Sequence, residues 1–573
     1  MLQSTTVGKA PLTGRFLFVF APMLTVLGWA ALVAAWLAPN HYPPWTSFHG
    51  EAAAFAALCC LLAARACRGT PVRGGAVVWP GLLLVLLITV QWAAGQIPYA
   101  GDALVSALFV IGAVIAFWLG QDAGRDRAGE TLHWLATALV AGAVLNVFIG
   151  LLQWQHLEQT LGIFAADRGP DMRVYGNLGQ PNHLATLCLM GIVGALWLRS
   201  KARIRRWHFV LLASWLSFGL VLTESRAGLL GAVVMGLLLL WGRRWLPGAR
   251  KFVSVWWGAL AAGYVLVPRV NEFLLLAPGR TQRLGDDNQR FVMWRQAVAA
   301  IQDAPWVGHG WRQTMRALKH AANDVPGILA TDYAHNLVLD ILVWVGVPLG
   351  VLLIGLAGFL LVRAWRRIAD AKQLLLLAAA VPVLVHSQFE FPFAYAYFLF
   401  PAAWLLGALA AAQAPPARVA GPGWARQWTA LLLCAFASVS VLVASEYLEV
   451  EEDYRVMRFE LRRVGQLPAG YAAPKLMLLD QLGELLEMGR VQAGPGMSPR
   501  TLERLRLVTE TNGWTTLDLT YVVALGFNGQ AEEASRRLVQ LERVYGRQTA
   551  QQAYGMFRAY QAARPGLEGV RVP

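Results

Sequence analysis

Charged residues and cysteines are scarce in this chain of 573 residues. Charged side chains make up 14% of it and hydrophobic side chains 57%, whereas a typical soluble domain carries about 25% charged residues. This composition excludes a disordered chain and a soluble enzyme, and five cysteines are too few for a secreted disulfide scaffold. The histidines are scattered and no P-loop is present. We therefore expect no metal and no other cofactor, and no transport driven by ATP hydrolysis.

Long apolar runs dominate the first 445 residues. Because a helix needs roughly 20 apolar residues to cross the hydrocarbon core of a membrane, the sequence predicts an all-α, polytopic transmembrane protein with about 13 spans. The predicted spans are 16–38, 51–66, 78–96, 103–120, 131–154, 183–198, 207–223, 226–242, 252–268, 336–362, 373–388, 396–413 and 428–446.

Positive charge is distributed unevenly along the chain. Residues 1–445 hold 33 Lys and Arg against 18 Asp and Glu, whereas residues 446–573 hold 16 of each kind. With the amino terminus inside, 22 of the 33 fall in loops predicted to be cytoplasmic, where short loops are enriched in basic residues. The net charge of +15 therefore indicates membrane topology, and we expect no nucleic-acid partner. An odd number of spans places the tail on the outer side.

The change in composition near residue 445 predicts two domains. The first is a transmembrane domain of residues 1–445 that includes a long outer loop, 269–335, and the second is a soluble helical domain of residues 446–573. Within the second, residues 517–545 predict a helix, a turn at 526–529 and another helix. The pattern is TPR-like, and such pairs often bind protein; a plain helical bundle is the alternative.

Eleven basic residues lie outside the predicted cytoplasmic loops. They are Arg168, Arg173, Arg226, Arg269, Arg280, Arg283, Arg290, Arg295, Arg312, Arg316 and Lys319. A basic cavity at the outer membrane surface suits a lipid-linked phosphate or pyrophosphate, because the guanidinium group binds phosphate oxygens with a planar fork of donors. For those in the long loop, the alternative is contact with lipid headgroups or pairing with Asp286, Asp287 and Asp303. Arg226 opens an apolar helix at the membrane boundary, where an ionisable group predicts function.

One amphipathic helix is predicted within the long outer loop. Across residues 288–303, apolar side chains recur at helical spacing and predict one apolar face, flanked by Arg290 and Arg295. The residues of that face are Phe291, Trp294, Val298 and Ile301. A proline and two glycines between residues 305 and 310 then predict the end of this helix.

Two polar islands stand directly before predicted spans. The first contains Gln180, Asn182 and His183; its carboxamides suit sugar hydroxyls, or Asn182 caps the following helix. The second contains Asp332 and His335. A histidine at a helix amino terminus is disfavoured as the imidazolium and stays available as a base. Asp332 is expected either to orient this histidine or to cap the helix.

A third polar island follows a predicted span and contains Glu390 and Tyr395. Its aromatic residues are typical of a membrane interface. Glu390 has no basic neighbour in the sequence, so we expect it to pair with one of the arginines outside the cytoplasmic loops. Direct substrate contact and structural bracing of an active site are both open for this island.

Taken in order, these segments resemble the PglL-type protein O-oligosaccharyltransferases of bacteria, which belong to one superfamily with O-antigen ligases and Wzy polymerases. The resembling segments are 176–183 (GNLGQPNH), 223–228 (TESRAG), Arg290 with Trp294, Pro305 with Gly308 and Gly310, 334–336 (AHN) with Gly346 and Gly350, and 386–398 (HSQFEFPFAYAYF). Residues 41–51 (HYPPWTSFHGE), with Gln91, Gly95, Gly101 and Asp102, resemble the leading segment of the pilin-glycosylating subgroup.

The resemblance implies a multi-pass protein of the bacterial inner membrane, with its active site and its tail in the periplasm. It implies a glycan on undecaprenyl pyrophosphate as the donor, a protein such as pilin as the acceptor, and no metal or nucleotide sugar. Arg226 and Arg290 match the arginines that bind the donor pyrophosphate, and His335 matches the essential histidine. The residues predicted to contact or support the substrate are Gln180, Asn182, His183, Asp332, Glu390 and Tyr395.

Three functions follow as hypotheses. The first is inverting transfer of the glycan to a serine or threonine hydroxyl, with His335 as the base. The second is ligation of O-antigen to lipid A-core, which uses the same donor but a saccharide acceptor. The third is a lipid-glycan flippase or channel without catalysis, which needs polar groups deep within the spans.

Overall fold

Helices make up the regular structure of the chain. The computed structural model describes residues 12–69, 78–126, 129–169, 172–274, 276, 286–327, 330–415, 425–462 and 471–573. Within these ranges the regular elements are all helical, and eight helices are long and apolar enough to cross a membrane. The predicted all-α, polytopic membrane fold is confirmed.

Each predicted span falls on one of these helices. In chain order the helices are α1 Leu12–Leu37, α2 Phe48–Arg68, α3 Val78–Ala93, α4 Ala100–Arg125, α5 Glu130–Trp154, α6 Pro181–Ser200, α7 Arg206–Leu222, α8 Arg226–Trp241, α9 Ala249–Leu274, α10 Asp286–Asp303, α11 Thr314–Ala321, α12 Leu337–Arg366, α13 Ala371–His386, α14 Ala396–Ala412, α15 Ala425–Arg462, α16 Asp480–Arg490, α17 Pro499–Thr511, α18 Thr515–Phe527 and α19 Ala531–Ala563. Five of the predicted spans, α3, α7, α8, α13 and α14, have only 16 or 17 residues. At 1.5 Å per residue they are about 25 Å long, somewhat shorter than the hydrocarbon core of roughly 30 Å.

Helix α6 forms the centre of the bundle. Every residue from Pro181 to Leu198 is buried, and α6 packs against α5, α7, α8 and α13. A helix that is apolar on all sides belongs in the interior of such a bundle. By contrast, α9 and α15 expose large apolar side chains, such as Val255 and Val441, as a lipid-facing surface requires.

The polar islands meet at one end of the bundle, which we call the site end. Helices α2, α4, α6, α8, α12 and α14 begin there. Two of these helices begin at residues whose side chains cap them: Ser225 accepts from the backbone of α8, and Asn336 accepts from two backbone amides of α12. Pro181 occupies the first turn of α6, where its missing N–H is not needed. Local sequence therefore places polar residues at the site end.

The segment after α10 forms backbone hydrogen bonds with α12 at a break in that helix. Helix α12 leaves helical geometry at Gly346, whose φ is 78°. Carbonyl groups just before the break accept hydrogen bonds from the backbone amides of His309 and Gly310, at 2.8 and 3.1 Å. A Cβ at Gly308 would lie 2.5 Å from the α12 backbone, so this close approach requires glycine. The interlock fixes the loop against the site end.

Helix α10 confirms the helix predicted over residues 288–303, and the side that it buries is not the predicted apolar face. Phe291 and Val298 are 60% and 45% exposed, whereas Met293, Ala297 and Ala300 are at most 5% exposed. The small alanines let α10 approach α11 and α12 closely. The helical period alone does not show which of two neighbouring faces of α10 is buried. The narrow space beside α11 and α12 favours the face with the smaller side chains.

The tail continues from the last span without a break. Helix α15 passes through residue 445, so the predicted domain boundary lies inside a helix. The predicted helix–turn–helix is confirmed by α18, a short turn and α19, and α19 bends at Gly546. Consecutive tail helices pack on one another around a core that includes Leu505, Val522, Leu538 and Phe557.

Lys319 of the outer loop anchors the tail. Its side chain is buried, and Nζ donates to the carbonyl oxygens of Thr509 and Asn512 at 2.6 and 2.8 Å. The same Nζ lies 3.1 Å from a carboxylate oxygen of Asp518. One buried cation therefore connects α11 with α17, α18 and the turn between them.

Replacing Lys319 with methionine is expected to loosen the tail. The change leaves the Asp518 carboxylate buried without its cation, which costs about 3–5 kcal/mol. Limited proteolysis in detergent should then cut the tail faster than in the unchanged protein. Lys475→Met, which removes an exposed charge of the same kind, serves as the control. Equal cleavage rates for the Lys319 variant and the control would contradict this role.

Candidate active site

Glu390 lies at the centre of a polar cluster at the site end. It sits in the turn between α13 and α14, and its side chain is only 4% exposed. Four side chains, from the start of α6 and the residue before it, from α10 and from the segment before α12, surround its carboxylate. Arg290 donates to Oε1, Asn182 Nδ2 lies 3.2 Å from Oε1, Gln180 Nε2 lies 3.1 Å from Oε2, and His335 Nδ1 lies 2.8 Å from Oε2. The expectation that Glu390 pairs with one of the arginines is confirmed.

The Glu390 carboxylate is held in its charged form. Burial by itself raises the pKa of this group, but the hydrogen bond and charge of His335 and the charge of Arg290 outweigh burial and lower the pKa to about 2. Since this pKa lies below the usual 4.5, the cluster stabilises the fold above pH 4.5. That contribution is lost as the pH falls from 4.5 toward 2.

His335 presents one ring nitrogen to the outside of the cluster. Its backbone is in the left-handed region, with φ of 54°, and its ring meets Phe391 edge-on at 4.8 Å. Because Nδ1 faces Glu390, Nε2 is the nitrogen left for a substrate. Thr331 Oγ1 lies 3.5 Å from Nε2, which is longer than a normal hydrogen bond.

Asp332 takes neither of the roles that its spacing predicts. The carboxylate beside the imidazole of His335 is that of Glu390, and the side chain that caps α12 is that of Asn336. Asp332 instead lines a cavity together with Arg312.

Arg226 begins α8 at the site end, and its side chain is exposed. The preceding residue, Ser225, is buried and donates to Asn182 Oδ1 at 2.6 Å. Asn182 in turn donates to Glu390. Two hydrogen bonds, from Ser225 to Asn182 and from Asn182 to Glu390, therefore connect the start of α8, where Arg226 lies, with the polar cluster.

His183 and Tyr395 pack beside the cluster. His183 is 1% exposed, and its ring contacts those of Tyr395 and His386 at 4.6 and 5.6 Å. Of the two alternatives for Asn182, capping of α6 is wrong, because the helix begins at Pro181 and Gln180 holds the cap position without a capping side-chain bond. The Asn182 amide is used on Glu390 instead.

The other basic residues outside the cytoplasmic loops serve several purposes. Arg168 contacts His156 at 3.0 Å, Arg173 donates to the carbonyl of Glu224 at 3.3 Å, and Arg316 lies 3.4 Å from Glu510 of the tail. Arg269 and Arg295 are exposed. Arg280, Arg283 and the side chains of Asp286 and Asp287 lie outside the described residues.

Two buried amides of α5 support the first polar island, and the sequence analysis did not select them. Gln153 accepts from the backbone amides of Tyr175 and Gly176, and Asn146 accepts from that of Asn177 at 2.9 Å. Both amides are 0% exposed. Their presence inside an apolar span is the signal that could have revealed them.

Three family models match successive parts of the chain. Residues 174–198 match a protein glycosylation ligase model, residues 209–354 an O-antigen ligase model, and residues 374–558 the C-terminal part of a virulence factor membrane-bound polymerase. The first match contains Gln180, Asn182 and His183, and the second contains Arg226, Arg290, Asp332 and His335. The third contains Glu390 and Tyr395.

Two proteins of Acinetobacter baylyi are similar to this chain. A general O-oligosaccharyltransferase is 26% identical over 573 residues, which covers 95% of this chain and 96% of that protein. A ComP-specific O-oligosaccharyltransferase is 28% identical over 333 residues, which covers 57% of this chain and 60% of that protein. No solved structure matches the chain. The predicted resemblance is confirmed: parts of the chain match O-antigen ligase and protein glycosylation ligase models, and the chain is similar over nearly its whole length to an O-oligosaccharyltransferase.

Proposed function

We propose that this protein transfers an oligosaccharide from undecaprenyl pyrophosphate to a serine or threonine of an acceptor protein such as a pilin. The reaction takes place at the periplasmic face of the bacterial inner membrane. The observation that carries the proposal is the convergence of Arg290 and His335 on the buried carboxylate of Glu390. The names of the two relatives support glycosyl transfer to protein hydroxyl oxygens.

Arg290 and Arg226 bind the donor pyrophosphate in this proposal. The Arg290 side chain is 32% exposed, so its guanidinium group has donors left beyond the one used on Glu390. Arg226 is exposed at the start of α8. As the bond between the sugar and the pyrophosphate breaks, negative charge grows on the departing phosphate oxygen. Fixed cations at that position lower the barrier.

His335 accepts the proton of the acceptor hydroxyl. The hydroxyl oxygen forms a bond to the anomeric carbon from the face opposite the pyrophosphate, so the configuration inverts. The bond to the pyrophosphate breaks, and undecaprenyl pyrophosphate leaves with the electron pair. The proton passes to Nε2 of His335, while Glu390 at Nδ1 orients the ring and stabilises the imidazolium.

Replacing Arg290 or Arg226 with alanine is expected to lower kcat/KM for glycan transfer by about 10²–10³-fold, the usual cost of removing one group that stabilises transition-state charge. Transfer is measured with the purified protein, a lipid-linked glycan and a pilin. Arg295→Ala removes an exposed arginine of the same helix, α10, and should leave the rate unchanged. A rate near that of the unchanged protein for either alanine variant would remove that arginine from the mechanism.

Ligation of O-antigen to lipid A-core is the second candidate function, because the O-antigen ligase model spans residues 209–354 and includes His335. A host cell that makes the lipid-linked glycan, a pilin and lipid A-core offers both acceptors together. We expect the pilin to gain the mass of the glycan. Glycan found on lipid A-core and absent from the pilin would favour the second function.

A further inference from the structure

A cavity of about 250 Å³ lies beside the candidate active site. Phe391 lines the cavity and also contacts the ring of His335. Asp332 and Tyr395 line the cavity as well. Its remaining walls come from residues 44–51, from α4, from residues 312–316 and from the tail at residues 481–482 and 511–512. The cavity is therefore bounded by both the membrane helices and the tail.

The cavity is rich in groups that accept hydrogen bonds. Glu51, Asp102 and Asp332 contribute three carboxylates, against two guanidinium groups from Arg312 and Arg316. Burial lowers the pKa of Arg312, but Tyr333 and these carboxylates outweigh burial and raise it. The acidic groups therefore lie close enough to Arg312 to stabilise its charged form, and the carboxylates outnumber the guanidinium groups of the cavity.

One of these carboxylates has an unused oxygen. Glu51 is 3% exposed, and its Oε1 accepts from Ser47 at 2.7 Å. Its Oε2 has no hydrogen-bond partner within the described ranges, and the same holds for Oε1 of Gln481 from the tail. A buried acceptor without a hydrogen bond destabilises the fold. These two oxygens indicate a ligand that donates hydrogen bonds.

Aromatic rings form much of the remaining wall. Trp45, Tyr333, Phe391 and Tyr395 all line the cavity. A sugar ring presents hydroxyl donors around its edge and C–H groups on its faces. Carboxylates and amides accept from the hydroxyls, while aromatic rings pack against the C–H groups. The composition of the cavity matches both properties of a sugar ring.

We propose that this cavity binds a sugar ring of the donor glycan that carries no acidic group, and that the tail closes the cavity over it. The inference rests on the proposed function and adds a preference for the glycan. An acidic sugar would bring a further negative charge next to three carboxylates. An extended segment of the acceptor protein is a poorer fit, because the volume is slightly below the usual range for a small-molecule pocket and the tail contributes part of the wall.

The test separates the Michaelis constants for the two substrates. Glu51→Gln keeps the shape of the side chain but replaces a carboxylate oxygen with a donor, and Asp332→Asn does the same at a second wall. Each variant is expected to raise KM for a lipid-linked neutral glycan by about tenfold, the value of one hydrogen bond to a charged group. KM for the pilin should stay unchanged. Glu449→Gln, which removes one negative charge from an exposed position, is the control.

A second measurement tests the preference for charge. The unchanged protein should transfer a neutral glycan in preference to the matched glycan with a uronic acid, and Asp332→Asn should reduce this preference. Size-exclusion chromatography in detergent reports whether Glu51→Gln has folded; if it has not, Asp332→Asn carries the test. An unchanged donor KM in the folded variants, or a rise confined to the pilin KM, would overturn the inference. Failure of the unchanged protein to glycosylate any protein would instead overturn the proposed function.

Discussion

Replacing His335 with alanine should lower kcat/KM for glycan transfer by about 10²–10⁴-fold, the range for loss of a general base. The imidazole is oriented by Glu390 at Nδ1, 2.8 Å away, and the alanine side chain cannot accept the hydroxyl proton. Transfer from a lipid-linked glycan to a pilin is measured with the purified protein. His320→Ala removes another histidine of the same loop, one whose side chain is 67% exposed, and should retain the normal rate.

The same variant distinguishes a base from a residue that only positions the acceptor. Loss of the base lowers kcat at saturating acceptor, whereas loss of positioning alone raises KM for the acceptor and leaves kcat intact. We expect the first result. Normal pilin glycosylation by His335→Ala would show that this histidine takes no part in the reaction.

Replacing Glu390 with alanine is expected to damage stability and transfer together. The change removes the one carboxylate that Arg290, His335, Gln180 and Asn182 share. Breaking a buried charge pair by removing one partner typically costs about 3–5 kcal/mol. Thermal unfolding in detergent should therefore begin at a lower temperature, and transfer should be lost because Arg290 and His335 lose their common anchor.

Glu390→Gln separates the two effects. Glutamine keeps the size of the side chain and one acceptor oxygen, but its NH₂ group meets donors that need an acceptor. We expect a smaller loss of stability than for alanine, with transfer still strongly reduced. Glu452→Gln, an exposed change in the tail, should alter neither property. Normal unfolding and normal transfer by Glu390→Ala would refute the central place given to this carboxylate.

The membrane helices and their polar ends were open to prediction because they depend on residues close together in the chain. Each predicted span fell on a helix, since a run of apolar residues is enough to define one in a membrane. The capping residues Ser225 and Asn336 stand in the predicted polar islands. Arg290 stood among the basic residues on the outer side and His335 in a polar island, and the family resemblance then singled out both.

The partner of His335 was not open to prediction in the same way. Asp332 is three residues away in the sequence, yet Glu390, 55 residues away, holds the ring. The choice depends on the left-handed turn at His335 and on the contact between the start of α12 and the turn after α13, where the backbone amide of Leu337 donates to the carbonyl oxygen of Ser387 at 2.8 Å. The buried face of α10 likewise depended on the space left beside α11 and α12.

By itself, the sequence determined that the chain is a polytopic helical membrane protein with its unusual polar residues at the ends of spans. Hydrophobicity and helix capping act over a few residues, and a chain carries that information locally. Only the tertiary structure decided that Glu390 joins Arg290 to His335, and that Glu51, Asp102 and Asp332 share one cavity with the tail. Such contacts join residues up to several hundred positions apart, and they form only when the packing of whole helices brings the side chains within hydrogen-bonding distance.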